Sequence, residues 1–294
     1  MRWTNRHNID PVIAQAVMTD DYEAVGDISV TRLVRPPQVT YLEHKHEDEL
    51  VQDVTEGLFM LEGRALHHIL DIARDETRLQ EHRLTVDYNG WTISGRFDVL
   101  YLQGNAAEGY LMEGSILKDY KVSSVWGHIL GGKEDHEEQL NFYAYLARVN
   151  GIQVDELRIV MWFRDWMSSQ VERDKQYPPL KVLEHTIPLW TPDRQELAFQ
   201  AAVKEHQLAR SGTYRMCNAE EQWARPDSWA VMKPGAKKAY RVFEEPALAE
   251  AMANSMAGYE VQFRPGEQVR CARYCPVMQF CSQAKELGVV KSDA

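Results

Sequence analysis

Cysteine is missing from the first two-thirds of this 294-residue chain: its four cysteines, Cys217, Cys271, Cys275 and Cys281, all lie in the C-terminal part. A disulfide framework spanning the whole fold is thereby excluded, and clustered thiols in a reducing cytosol point to metal ligation. Long apolar runs are missing too. No stretch approaches the roughly 20 apolar residues of a membrane helix, and MRWTNRHNIDPVIAQAV carries no long apolar segment followed by a small-residue cleavage site. The expected location is the cytosol, away from membranes. Nor is there surplus positive charge, since 33 Lys and Arg face 44 Asp and Glu for a formal net charge of -11. Such a chain repels a phosphate backbone overall, so a nucleic-acid partner must be met by local charge. Repeats and low-complexity tracts are absent. What remains is an ordinary globular composition, 44% hydrophobic and 26% charged, which excludes a disordered or collagen-like chain.

Hydrophobic pattern and punctuation predict the architecture. From about Glu47 to Arg74, Leu50, Val51, Val54, Leu58, Leu61, Leu66, Ile69 and Leu70 recur at helical spacing. HRLTVDY and WTISGRFDVLYL then alternate apolar and polar residues around Asn89-Gly90, a hairpin signal. After a turn near Gly104-Asn105, YLMEGSILKDYKV reads as a strand and HEEQLNFYAYLARV as an amphipathic helix. ELRIVMWFRDW reads as the next strand, giving way to VLEHTIPLW and a helix from about Pro192 to Arg210. This order predicts an α/β fold with a central mixed β-sheet flanked by helices. Beyond Ser211, short helical segments rich in Trp, Pro and Lys end in the cysteine cluster. The expected domains are 1–210 and a C-terminal helical region, 211–294.

Asp98 of GRFD is followed some twenty residues later by Asp119-Tyr120-Lys121. Side chains two apart on a strand share a face, so Asp119 and Lys121 project together from a sheet edge, and the hairpin can bring Asp98 to the same spot. Phosphodiester hydrolysis needs a hard divalent cation on oxygen ligands, a positioned water and stabilisation of growing negative charge. Two aspartates and a lysine supply those parts, although any one of them alone is more ordinarily a solvated strand residue. His67, on the preceding helix, can add a nitrogen ligand that suits Mn as well as Mg. His68 points about 100° away and is the weaker candidate. Gln139 and Tyr143, four apart on a helix, share a face and offer polar groups for a phosphate.

In this order, G-x-x-x-H ending at His67, G-R-F-D, D-Y-K and Q-x-x-x-Y resemble the motif series of RecB-like nucleases in the PD-(D/E)XK superfamily, over Gly63 to Tyr143. The segments ISVTRLVRPP and WFRDW look like those of phage-encoded members. The resemblance implies a PD-(D/E)XK core and a Mg- or Mn-dependent deoxyribonuclease. His67, Asp98, Asp119 and the Tyr120 carbonyl would bind metal, Lys121 would orient or help deprotonate the attacking water, and Gln139 and Tyr143 would contact DNA. Phe97 stands where the superfamily's name has proline, as in many RecB-like members. The implied role is an exonuclease acting on single strands or free ends in phage recombination or DNA processing, with recombination proteins as partners, in the host cytoplasm. The alternatives are a nucleic-acid-binding module without turnover, which would usually have lost an aspartate or the lysine, and an iron–sulfur redox or sensory protein.

Cys271, Cys275 and Cys281 form C-x3-C-x5-C, with Cys217 available as a fourth thiolate. No C-x-x-C pair is present, so a zinc ribbon fits poorly. Four thiolates suit a [4Fe-4S] cluster or tetrahedral Zn, and unligated thiols are a third possibility. Resemblance to the AddB-type and CRISPR-adaptation nucleases implies a structural [4Fe-4S] cluster. In those relatives the first cysteine precedes the nuclease motifs, whereas Cys217 follows them. The segment KPGAKKAYR, Lys233 to Arg241, sets four positive charges near Trp229 and Tyr240. Lys237 and Lys238 are the expected DNA-backbone contacts there, a solvated loop being the alternative.

Overall fold

The computed structural model describes residues 2–19, 23–73, 75, 77–102, 106–107, 110–111, 114–129 and 135–289. The chain divides into two compact units, Met1–Thr40 with Val51–Thr213 and Tyr41–Leu50 with Tyr214–Ala294.

The first unit is built on a six-stranded mixed sheet: β1 (Ile28–Ser29), β2 (Arg78–Tyr88), β3 (Trp91–Tyr101), β4 (Ile116–Ser123), β5 (Glu156–Phe163) and β6 (Val182–Ile187). Its order is β6-β5-β4-β3-β1, with β2 also pairing β3. β4 and β5 run parallel, as do β1 and β3, while the other pairs are antiparallel. The helices α1 (Val54–Ile72), α2 (Asp135–Val149) and α3 (Pro192–Arg210) belong to the same unit. A parallel pair needs a crossover, and α2 supplies it between β4 and β5. Phe97, Leu100, Leu117, Leu140, Leu157 and Phe199 are fully buried in one core.

Asn89 and Gly90, with φ of 50° and 80°, form the hairpin turn between β2 and β3, both taking the left-handed conformation a two-residue loop requires. The expected turn at Gly104-Asn105 lies outside the described residues, as do Met112 and Glu113 of the strand reading. Two expectations are corrected. Residues Val51–Asp53 pair in parallel with Arg2–Thr4, so the helix expected from Glu47 starts at Val54, where Asp53 caps it by accepting from the Thr55 N–H. Residues 139–147 of α2 are buried on every side, not amphipathic. Phe199 of α3 covers Phe142 and Tyr145, and Asn141 meets the Trp190 N–H and the Pro188 carbonyl, so the polar positions on that side are satisfied without water.

In the second unit, β7 (Ser228–Met232) lies between β8 (Arg241–Phe243) and β9 (Glu260–Arg264), with α4 (Pro246–Ser255) set on them through Ala249 and Ala253 against Val231. The reading of this stretch as purely helical is thus corrected. Strands of three to five residues are too short for a period-two pattern to declare itself. Two short helices follow, α5 (Val269–Arg273) and α6 (Ser282–Glu286). Among the described residues, no helix is long and apolar enough to cross a membrane.

Candidate active site

β3 offers one full edge to β2 and divides the other. Along that second edge Ile93 and Ser94 pair with β1, and Val99 to Tyr101 pair with β4. Gly95 to Asp98 lie in the fork between them, beside a cleft of about 600 Å³. Val99 opposite Lys118 is the last β3–β4 pair, so Asp98 and Asp119 meet where the ladder opens. There the Asp98 Oδ2 accepts the Tyr120 N–H at 2.6 Å, satisfying a donor near the end of the ladder.

Asp119 and Lys121 share a strand face, and the Lys121 Nζ lies 2.6 Å from the Asp119 Oδ2. The same Nζ donates to the Gln139 Oε1 at 3.4 Å, Gln139 Nε2 donates to the Tyr143 hydroxyl at 3.1 Å, and that hydroxyl lies 3.4 Å from the Thr31 Oγ1. The i, i+4 pair on α2 thus ties Lys121 to the short helix Val30–Leu33 that follows β1. Gln139 and Tyr143 are buried but line the cleft.

His67, on α1, sets its Nδ1 3.4 Å from the Asp98 Oδ1 and 3.4 Å from the Glu81 Oε1. Glu81, on β2, was not among the sequence-derived candidates. It has a φ of 46° in the middle of a strand, a left-handed conformation that costs an L-residue about 1–2 kcal/mol. A lone glutamate in an alternating strand carries no sequence signal. Only the backbone excursion and the neighbours it acquires reveal it. Arg96 Nε reaches its Oε2 at 3.1 Å. His68 lines the cleft as well.

The charges converge without balancing. Burial and the facing Asp119 raise the Asp98 carboxyl to about 7, against the opposing pull of His67 and the Tyr120 N–H. His67 is raised chiefly by its hydrogen bond to Glu81, with burial opposing and Asp98 adding to the rise. Burial pulls the Lys121 ammonium down, yet the Asp119 charge and hydrogen-bonding interaction with it win, and its pKa ends above the usual lysine value. Burial raises the Tyr143 phenol to about 12. Carboxylates gathered this closely favour a proton or a cation between them. The Asp119 Oδ2 is buried and, despite Lys121 nearby, accepts no hydrogen bond of good geometry. Hard oxygens with one imidazole nitrogen suit Mg²⁺ or Mn²⁺, so these residues fit a divalent cation.

Gly95 makes the arrangement possible. A Cβ there would lie 2.9 Å from the Leu146 Cδ2 and 3.0 Å from the Tyr143 Cδ1 and Cε1. Gly95→Ala is expected to cost about 1–3 kcal/mol by overpacking and to displace Tyr143 from Gln139. Urea melts read alongside cleavage rates check it, and unchanged values in both would show that the ring has room to move.

The description of the PD-(D/E)XK nuclease superfamily matches residues 32–282. The chain belongs to that superfamily. This PD-(D/E)XK protein is accordingly assigned to a group of metal-dependent nucleases, phosphodiester hydrolases that act on nucleic acid. Among solved proteins it is similar to one described as "Crystal structure of SSO0001", at 15% identity and a TM-score of 0.43, over 68% of this chain and 83% of that one. No curated protein matches it.

None of the nuclease's four cysteines is in a disulfide, and all four lie in one unit. Gln283 clasps the Cys217 backbone, accepting from its N–H at 3.1 Å and donating to its carbonyl at 2.8 Å, which brings Cys217 to the C-terminal helices. Burial, with Glu221 next, raises the Cys217 thiol to about 12. Cys271 and Cys275 are raised as well, by burial first, and each of the three also feels the charge of other cysteines. Among the described residues no three thiols come within 4.8 Å of one another. Lys237 and Lys238 are exposed in the loop between β7 and β8, where Tyr240 packs edge-on against Tyr259.

Proposed function

We propose that this nuclease hydrolyses DNA phosphodiesters with Mg²⁺ or Mn²⁺, as an exonuclease acting on single strands or free ends, residues 1–210 carrying the chemistry. The supporting observation is the meeting of Asp98, Asp119 and Lys121 where the β3–β4 ladder opens. His67, Asp98, Asp119 and the Tyr120 carbonyl hold the ion, which supplies Lewis acidity and a water of lowered pKa. Lys121, which shares a strand face with Asp119, orients or helps deprotonate the attacking water and faces the developing phosphate charge. Gln139 and Tyr143 position that ammonium and present polar edges to the DNA strand. The setting that the motif resemblance favours is phage recombination or DNA processing, in the host cytoplasm with recombination proteins.

End-labelled single- and double-stranded DNA, incubated with Mg²⁺, Mn²⁺ or EDTA, tests this reading. Progressive shortening from ends is expected with either metal, none with EDTA, and circular single strands should survive. Cleavage that persists in EDTA, or DNA left intact in both metals, would refute it.

In residues 211–294, Cys217, Cys271, Cys275 and Cys281 hold a structural [4Fe-4S] cluster. The support for iron–sulfur is the motif resemblance together with the absence of a C-x-x-C pair, and tetrahedral zinc on the same four thiolates is the alternative. Lys237 and Lys238 contact the DNA backbone. Replacing both with Ala should weaken binding equally for unrelated sequences and flatten the salt dependence by roughly 0.7–0.9 log units per charge. Binding in Ca²⁺ across a salt series measures it, and an unchanged slope returns the segment to a solvated loop.

A further inference from the structure

On either side of Glu81 the β2–β3 ladder holds one register, Gln80 opposite Val99 and His82 opposite Phe97. Glu81 itself, opposite Asp98, is the position that drops out, and its left-handed φ belongs to it and not to an inserted residue. An excursion that strands on both sides do not require is stored strain, and such strain persists where a side chain must be held somewhere specific. Here the carboxylate is held on two sides, by the His67 Nδ1 at 3.4 Å and the Arg96 Nε at 3.1 Å.

Among the described residues, His67, Glu81 and Asp98 are the group whose donor atoms all lie within 4.8 Å of one another, and Asp119 is not in it. The two Asp98 oxygens already face different ways, Oδ1 to His67 and Oδ2 to the Tyr120 N–H. We infer that Glu81 is a metal ligand which, with His67 and Asp98, forms a second cation position beside the one served by Asp119 and the Tyr120 carbonyl, so that with two ions bound His67 belongs to the second and Asp98 is shared between them. One imidazole nitrogen and two carboxylates favour Mn²⁺ over Mg²⁺ at this position. The inference rests on the metal-dependent reading above and adds a ligand and a second ion to it.

Mn²⁺ binding to the full chain without DNA, followed by the electron paramagnetic resonance signal of the free ion, separates the two. Wild type should take up two Mn²⁺ per chain. Glu81→Gln should weaken one of them at least tenfold, and Asp119→Asn should weaken the other. Glu81→Gly, which accepts the left-handed backbone without strain, should lose the same ion as Glu81→Gln while melting no lower than it, so a folding defect in one variant cannot mimic lost ligation. Wild-type binding by both Glu81 variants, with Asp119→Asn deficient, overturns the role of Glu81 and spares the metal-dependent reading. Loss of the same single ion in all three overturns the second position. A wild type that binds no Mn²⁺ and cleaves nothing overturns both.

Discussion

Lys121→Met and Asp119→Asn are each expected to lower single-turnover cleavage at saturating Mn²⁺ by about 10³-fold or more, the scale of losing a donor or charge aimed at the transition state, yet to differ in their cost to stability. Asp119 is 3% exposed and pairs with Lys121 at 2.6 Å. Removing the lysine leaves that carboxylate buried and uncompensated, which for a fully buried pair costs 3–5 kcal/mol. The Lys121 side chain is 27% exposed, and solvent screening reduces the loss to about 1–3 kcal/mol. Asp119→Asn also strands a partner, the Lys121 ammonium, but removes a charge that faces Asp98 and helps raise its carboxyl, so protein in EDTA should lose less stability than Lys121→Met does, and should lose most of its stabilisation by Mn²⁺.

The pH dependence has a sign. Asp98 and His67 both have folded-state pKa values raised above their ordinary ones. The stability they contribute in EDTA is present at low pH, and the Asp98 share is lost as pH rises through about 7. A bound divalent ion replaces those protons, so Mn²⁺ should stabilise more at pH 8 than at pH 5. Thermal melts with EDTA and with Mn²⁺ at both pH values read all of this. Wild-type cleavage by either variant would remove Asp119 or Lys121 from the chemistry.

Anaerobically purified protein is expected to be brown and to carry about four iron atoms per chain. Cys275→Ser should lose the colour and most of the iron, and should loosen the second unit, because cluster binding and local folding are coupled. Iron analysis, visible absorption and proteolysis of the C-terminal part follow the three effects. Colourless protein with one equivalent of zinc would refute the assignment, as would Cys275→Ser protein that retains its iron. Since hydrolysis transfers no electron, an intact cluster should leave cleavage indifferent to its oxidation state.

Much of the site could be read from the chain because its key residues sit on regular elements. Strand period two places Asp119 with Lys121, and helical spacing places Gln139 with Tyr143, before any tertiary contact is known. The Asn89-Gly90 turn secured the hairpin for a similarly local reason. The burial of Asp119 was not readable, since the reading from strand period expected an exposed edge. The opening of β3 between β1 and β4 was equally hidden, because β1 is two residues long and pairs with a strand more than sixty positions away. Glu81 escaped because its place depends on a backbone angle that its residue type disfavours. Gly95 stood in the GRFD motif, but its reason for being glycine is a ring on another element.

The second unit is assembled from two pieces of chain, 41–50 and 214–294, with residues 51–213 running between them. Its early piece brings Tyr41 to within 4.9 Å of Tyr214, stacks His46 on Phe280 at 4.0 Å and buries Leu42 and Leu50. Cutting the gene after Thr213 would therefore not excise a clean nuclease fragment. It would leave an orphaned ten-residue segment with its apolar side chains facing water, a nucleus for aggregation. A single proteolytic nick inside 51–213 would sever the covalent tether between the two pieces, and their association, once set by a fixed effective concentration, would become dilutable.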